Sequence, residues 1–109
     1  MKIVAAIIGM GIGQKHLEAI ENYKNSKVKV ICEKNKQKIK KLKTKYPNKI
    51  VTSNENDIFF DKQVNLVSIA SYDQFHYDQI LKCFKHKKHM IIEKPLCLNS
   101  NQLKKIYFL

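Results

Sequence analysis

A doubly wound α/β fold on a parallel sheet is predicted by two observations. Apolar, β-branched runs alternate along the chain with segments whose apolar residues recur at helical spacing, the pattern of successive βαβ units. The first run, Lys2–Ile8, is continuously apolar after its lysine, as expected of a strand buried on both faces, and opens into three closely spaced glycines, Gly9, Gly11 and Gly13. Right-handed crossovers with helices on both faces then give the strand order 3-2-1-4-5.

The elements follow in order. After the glycines, Leu17, Ile20 and Tyr23 predict a first helix from Gly13 to Lys24. Lys27–Cys32 is a second strand, with Val28 and Val30 on one face. Ile39, Leu42 and Tyr46 mark an amphipathic second helix that Pro47 ends. Lys49–Thr52 is a short third strand, and Thr52-Ser53-Asn54-Glu55 resembles a capping box before a brief helix carrying Ile58, Phe59 and Phe60. Val64–Ala70 is the fourth strand. Tyr77, Ile80, Leu81 and Phe84 supply the apolar face of the next helix, whose start Asp73 and Asp78 cap or solvate. Lys88–Ile92 reads as a buried fifth strand, and Asn99 or Ser100 caps a last helix from Asn101.

At 109 residues the chain is one domain, and its 44% hydrophobic content with only three glycines and two prolines is that of a globular fold. Cys32, Cys83 and Cys97 are scattered without a CxxC spacing, which reads as reduced thiols in a cytoplasmic protein with no metal site. The net charge of +12 invites a nucleic-acid partner. All of the basic side chains are lysines, however, with no arginine for bidentate contacts, and those in "KNKQKIKKLKTK" fall on the polar face of a helix. A solvated surface is the expectation, without nucleic acid. "MKIVAAIIGMGIG" imitates a signal peptide but runs into the glycine turn without a cleavage site, and no stretch reaches the ~18 apolar residues of a membrane span.

The glycines carry the first functional signal. A Gly-rich turn between a strand and a helix lets the backbone approach a pyrophosphate, whose charge sits on the helix N-terminus. The spacing here is G-x-G-x-G, one residue shorter than the usual dinucleotide fingerprint. Its context matches nonetheless, because Glu33 closes the second strand about twenty residues on, where a carboxylate accepts hydrogen bonds from ribose hydroxyls. That acid favours NAD by repelling a 2′-phosphate, while the adjacent Lys34 leaves NADP open.

Ligands of doubly wound sheets bind beyond the carboxyl ends of the strands. Three such ends are polar here: Glu33, the "SYDQFH" of Ser71–His76, and Glu93-Lys94-Pro95. An acid and a base directly after an apolar strand suggest a site, since burying unpaired charge is costly.

At these residues the sequence resembles a known family. "IIGMGIGQKH", "VSIASYDQFHYDQILKCFKHKKHMIIEKPL" and the acid closing strand two are similar to the N-terminal half of the Gfo/Idh/MocA oxidoreductases, over essentially the whole chain. The resemblance implies a Rossmann domain that binds NAD(P), followed in the family by a larger α/β domain shaping the substrate site and oligomer interface. It implies hydride transfer at a hydroxyl-bearing carbon of a sugar, cyclitol or derivative. Lys94 is then the catalytic residue, beside the nicotinamide and the reacting oxygen, with Glu93 and Pro95 shaping its turn. Gly9, Gly11, Ile12, Gly13, Glu33, Ser71 and His76 join them around the cofactor.

The sequence departs from the family at Ser71-Tyr72, where many relatives have Thr-Pro, and it closes on "KKIYFL". Residues 1–109 are therefore expected to be the nucleotide-binding domain cut within its last helix, without the second domain and its catalytic His, and inactive alone. On residue type alone, Lys94 reads equally as a solvated lysine, His76 is divided between cofactor neighbour and helix-start packing, and His16, His86, His89 and Cys97 read as packing or surface. A stand-alone nucleotide-binding or protein-interaction module is the alternative function, and a homo-oligomer stays open.

Overall fold

The structure, a computed structural model, describes residues 2–108; the closing Leu109 of the apolar terminus lies outside them. Five parallel strands form one sheet in the order β3-β2-β1-β4-β5: β1 Ile3–Ile8, β2 Ser26–Cys32, β3 Ile50–Thr52, β4 Leu66–Ile69 and β5 His89–Ile92. The predicted order therefore holds. Five helices connect and flank them: α1 Gly13–Glu21, α2 Lys36–Lys45, α3 Asn56–Phe59, α4 His76–Lys85 and α5 Ser100–Tyr107, with a 3-10 turn at Asp73–Phe75 before α4.

Alternate residues of the central strand point to opposite faces, and each face has its own core. Ala5 and Ile7 pack with Leu17 and Ile20 of α1 and Leu42 of α2. Val4, Ala6 and Ile8 pack with Ile58 and Phe59 of α3 and Ile80 and Cys83 of α4, with Ile106 of α5 at the margin. All of β1 after its first residue is buried, which is why its sequence lacks polar alternation.

Three expectations shift, each for a physical reason. The buried face of α4 consists of His76, Gln79, Ile80 and Cys83, and Phe84 is 45% exposed. Apolar periodicity points about one position away because two polar residues take inward positions, stabilised by hydrogen bonds to the chain around them. The fifth strand is only half buried: Met90 and Ile92 pack on the core, while Ile91 is 43% exposed because α1 and α2 lie over the β1–β3 side of the sheet. Before α3, Asn54 takes the turn, its side chain accepting from the Asn56 amide at 3.0 Å, while Glu55 already has helical backbone angles. The strands β3 and β4 are also shorter than their apolar runs, at Ile50–Thr52 and Leu66–Ile69.

Within α3 the two adjacent phenylalanines differ sharply, Phe59 being 2% and Phe60 67% exposed. Truncating Phe59 to Ala is expected to cost about 3–5 kcal/mol of unfolding free energy through the cavity it leaves. Phe60→Ala is expected to stay within about 0.5 kcal/mol. Urea denaturation of the two variants side by side checks this.

Candidate functional site

The carboxyl ends of β1, β2 and β4 open into a cleft of about 660 Å³ lined by the glycine turn, the Cys32–Asn35 segment, Lys38, Glu55 and the Ala70–Phe75 segment. A parallel sheet creates this opening where neighbouring crossovers leave in opposite directions, here between β1 and β4.

The three glycines have three different tasks. Gly9 has φ +89°, and a Cβ built on it would stand 2.5 Å from the Ala70 carbonyl oxygen, so the end of β1 lies against the end of β4 at a distance no side chain permits. At Gly11 a Cβ would meet nothing within 4 Å, so this glycine leaves open space in the cleft wall. Gly13 is buried on the sheet side of α1, where a Cβ would stand 2.6 Å from the Ile7 side chain and force the helix off the strand.

α1 begins after Ile12 without a side-chain cap and without an acid in its first turn. The positive end of its dipole and its first amides are thus left for an anion in the cleft. Glu33 lines the same cleft. One carboxylate oxygen accepts from the Met10 amide at 3.2 Å and the other from the Asn35 amide at 2.8 Å. Each oxygen retains lone-pair capacity for a hydroxyl donor, and the carboxylate is fixed in place by the two turns it joins. Lys34 leans across the cleft toward Phe75, its ammonium 5.8 Å from the ring centroid. Ser71 donates to Gln79 at 2.6 Å, tying the β4 turn to α4.

Among the sequence-derived site residues, the cleft brings together Gly9, Gly11, Ile12, Glu33 and Ser71. Gly13 stands behind its wall as packing. Glu93, Lys94 and Pro95 form a separate turn after β5, extending the sheet by one hydrogen bond from the Glu93 amide to the Ile69 carbonyl. Lys94 is exposed, and its ammonium makes no hydrogen bond or ion pair among the described residues. His76 is wholly buried, its Nδ1 2.6 Å from the Pro95 carbonyl and its Nε2 2.8 Å from the Ser71 carbonyl.

Three further residues were missed by sequence reasoning. His16 bonds the buried Ser68 hydroxyl through Nδ1 and the Glu93 carboxylate through Nε2, the latter at 2.7 Å. Gln79 supports Ser71 from α4. The available signals were a serine interrupting the apolar run "VNLVSIA" and a histidine one turn into α1 on its sheet-facing side.

The cysteines differ in chemistry. Burial, aided by the nearby charge of Glu55, pushes the Cys32 thiol up to about 11 beside the cleft, and burial pushes Cys83 up to about 12. Neither forms appreciable thiolate near neutrality, while Cys97 is partly exposed.

The fold and the cleft define a dinucleotide-binding α/β domain. The Gfo/Idh/MocA oxidoreductase family, characterised by an NAD-binding Rossmann fold, matches residues 3–109, and the chain belongs to it. It is 28% identical over 102 residues to the uncharacterised oxidoreductase YrbE of Bacillus subtilis, covering 93% of this chain and 30% of that protein. It is 28% identical over 94 residues to a myo-inositol 2-dehydrogenase of Thermotoga maritima, covering 85% of this chain and 28% of that one. The crystal structure of a probable dehydrogenase from Thermotoga maritima superimposes with a TM-score of 0.88 at 25% identity, over 95% of this chain and 32% of that chain. The chain thus spans about 30% of the length of the curated relatives it matches. No helix among the described residues is long and apolar enough to cross a membrane.

Two outcomes test the site's construction. Gly9→Ala is expected to lose roughly 1–3 kcal/mol from its left-handed backbone alone, with more from the Ala70 clash, whereas Gly11→Ala stays within about 0.5 kcal/mol; thermal melts of both compare them. Iodoacetamide at mildly alkaline pH is expected to label Cys97 in the native chain and all three cysteines only after denaturation, as read by peptide mass spectrometry.

Proposed function

We propose that residues 1–109 are the nucleotide-binding domain of an NAD-dependent dehydrogenase that oxidises or reduces a hydroxyl-bearing carbon of a sugar, cyclitol or related compound. The observation that carries this reading is the Glu33 carboxylate held in the same cleft as the uncapped start of α1. That pairing fits a ribose diol at the carboxylate and a pyrophosphate at the helix start. The relatives named as inositol dehydrogenases support the cyclitol class.

The residues divide the work as follows. Gly11 admits the phosphates to the backbone, and the first amides of α1 hold their charge. Ile12 and Ser71 flank them. Glu33 accepts from the ribose hydroxyls and sets a negative charge where a 2′-phosphate would lie, which favours NAD over NADP. The bound nicotinamide supplies the hydride acceptor or donor. Lys94, an ammonium unpaired among the described residues, stabilises the alkoxide that forms as the hydroxyl loses its proton to a base before hydride departs, or as hydride arrives at a carbonyl. Substrate walls and a positioned base are assigned to polypeptide equivalent to the rest of the relatives' length, and nucleotide binding to the residues present here.

Calorimetric titration with NADH and NADPH tests this. NADH is expected to bind more tightly, with Glu33→Ala weakening it by roughly 10–100-fold as charge-assisted hydrogen bonds are lost, and with the NADH-to-NADPH preference narrowing. Gly11→Ala is expected to weaken both nucleotides without lowering the melting temperature. A folded chain that binds neither nucleotide overturns the reading.

A further inference from the structure

Lys94 has no side-chain partner among the described residues, yet the residues on both sides of it are held. The Glu93 carboxylate accepts from His16 Nε2 at 2.7 Å, and the Pro95 carbonyl accepts from His76 Nδ1 at 2.6 Å. The two histidines come from different helices on opposite faces of the sheet, His16 from α1 and His76 from α4. His16 is itself anchored at the far nitrogen on the Ser68 hydroxyl, and His76 lies between two carbonyls, Pro95 at Nδ1 and Ser71 at Nε2, of which a neutral ring donates to one.

The chemistry of the His16 chain fixes its direction. A carboxylate only accepts, so Nε2–H donates to Glu93, Nδ1 accepts from the Ser68 O–H, and all three groups are satisfied with a neutral ring. Serine, histidine and acid in a row invite comparison with a nucleophilic triad. Ser68 is 0% exposed inside β4, however, and no substrate reaches its hydroxyl. A hydroxyl buried in the centre of a parallel sheet is costly unless paired, and its one partner among the described residues is the ring that faces Glu93.

We infer that His16 and His76 are positioning residues for Lys94, and that His16 couples the helix carrying the pyrophosphate turn to the turn carrying the ammonium. The two halves of the cofactor site are then not independent. Order at one end is passed to the other through a single imidazole. The inference rests on the proposed role of Lys94 for its catalytic meaning, but the coupling itself is a property of this chain.

The test compares NADH with ADP-ribose, which shares its adenosine and pyrophosphate and lacks the nicotinamide, on the 109-residue chain. His16→Ala leaves the glycine turn and Glu33 in place, so it is expected to keep ADP-ribose affinity within about twofold and to abolish most of the change in NADH emission on binding, which reports only the nicotinamide end. His16→Gln, which retains a donor near Nε2, is expected to restore part of that change. Equal weakening of both ligands, or an unaltered emission change in His16→Ala, overturns the inference. Should the wild-type chain bind neither ligand, the proposed function fails while the coupling stays testable by NMR. Glu93→Gln must then shift the His16 ring nitrogens, and His16→Ala must speed hydrogen exchange at the Glu93 amide. Failure of either overturns it.

Discussion

The close approach of Gly9 to Ala70 is the constraint on which the site depends. Two adjacent parallel strands end side by side there, and the room a side chain would need is occupied by the Ala70 carbonyl 2.5 Å from the would-be Cβ. Because β1 leaves that point toward α1 on one face and β4 leaves toward α4 on the other, the chain parts and a cleft forms between them. The positive φ of Gly9 is the local cost of bringing the two departures so close. Everything functional is then built on backbone that has already been placed: the start of α1, the Glu33 turn and the Ser71 turn all radiate from this contact.

The polar groups at the carboxyl ends of the strands divide in two. Some are turned onto protein partners, and others retain capacity. Ser68 and His76 are buried and spend their hydrogen-bonding atoms within the protein. Glu33 joins two turns yet keeps lone pairs free, α1 starts without a cap, and Lys94 stands unpaired among the described residues. An unpaired ammonium on a turn has little orientation of its own, since a lysine side chain carries large rotamer freedom. Holding the backbone on both sides of it is the available means of aiming it, which is the purpose inferred for His16 and the buried His76.

Much of this was legible residue by residue. The glycine turn, the acid after β2, the order of strands and the turn after β5 all rest on local signals: backbone freedom, burial on both faces and charge beside an apolar run. What escaped was the sidedness of α4 and the roles of His16, Ser68 and Gln79. Helical periodicity counts apolar residues, and in α4 two of the four buried positions are polar. His16 looked like a packing residue because its partners, Ser68 and Glu93, are 52 and 77 positions away.

The sequence by itself determined the alternation of strands and helices, the dinucleotide-type turn and the family, because each depends on near neighbours or on a motif carried whole within a short segment. Only the tertiary structure decided which polar residues meet. Hydrogen bonds between α1, β4 and the turn after β5 require three segments to be brought to one place by the sheet, and no local pattern records that distance. The same holds for the exposure of Ile91, whose apolar run is identical whether or not a helix happens to cover it.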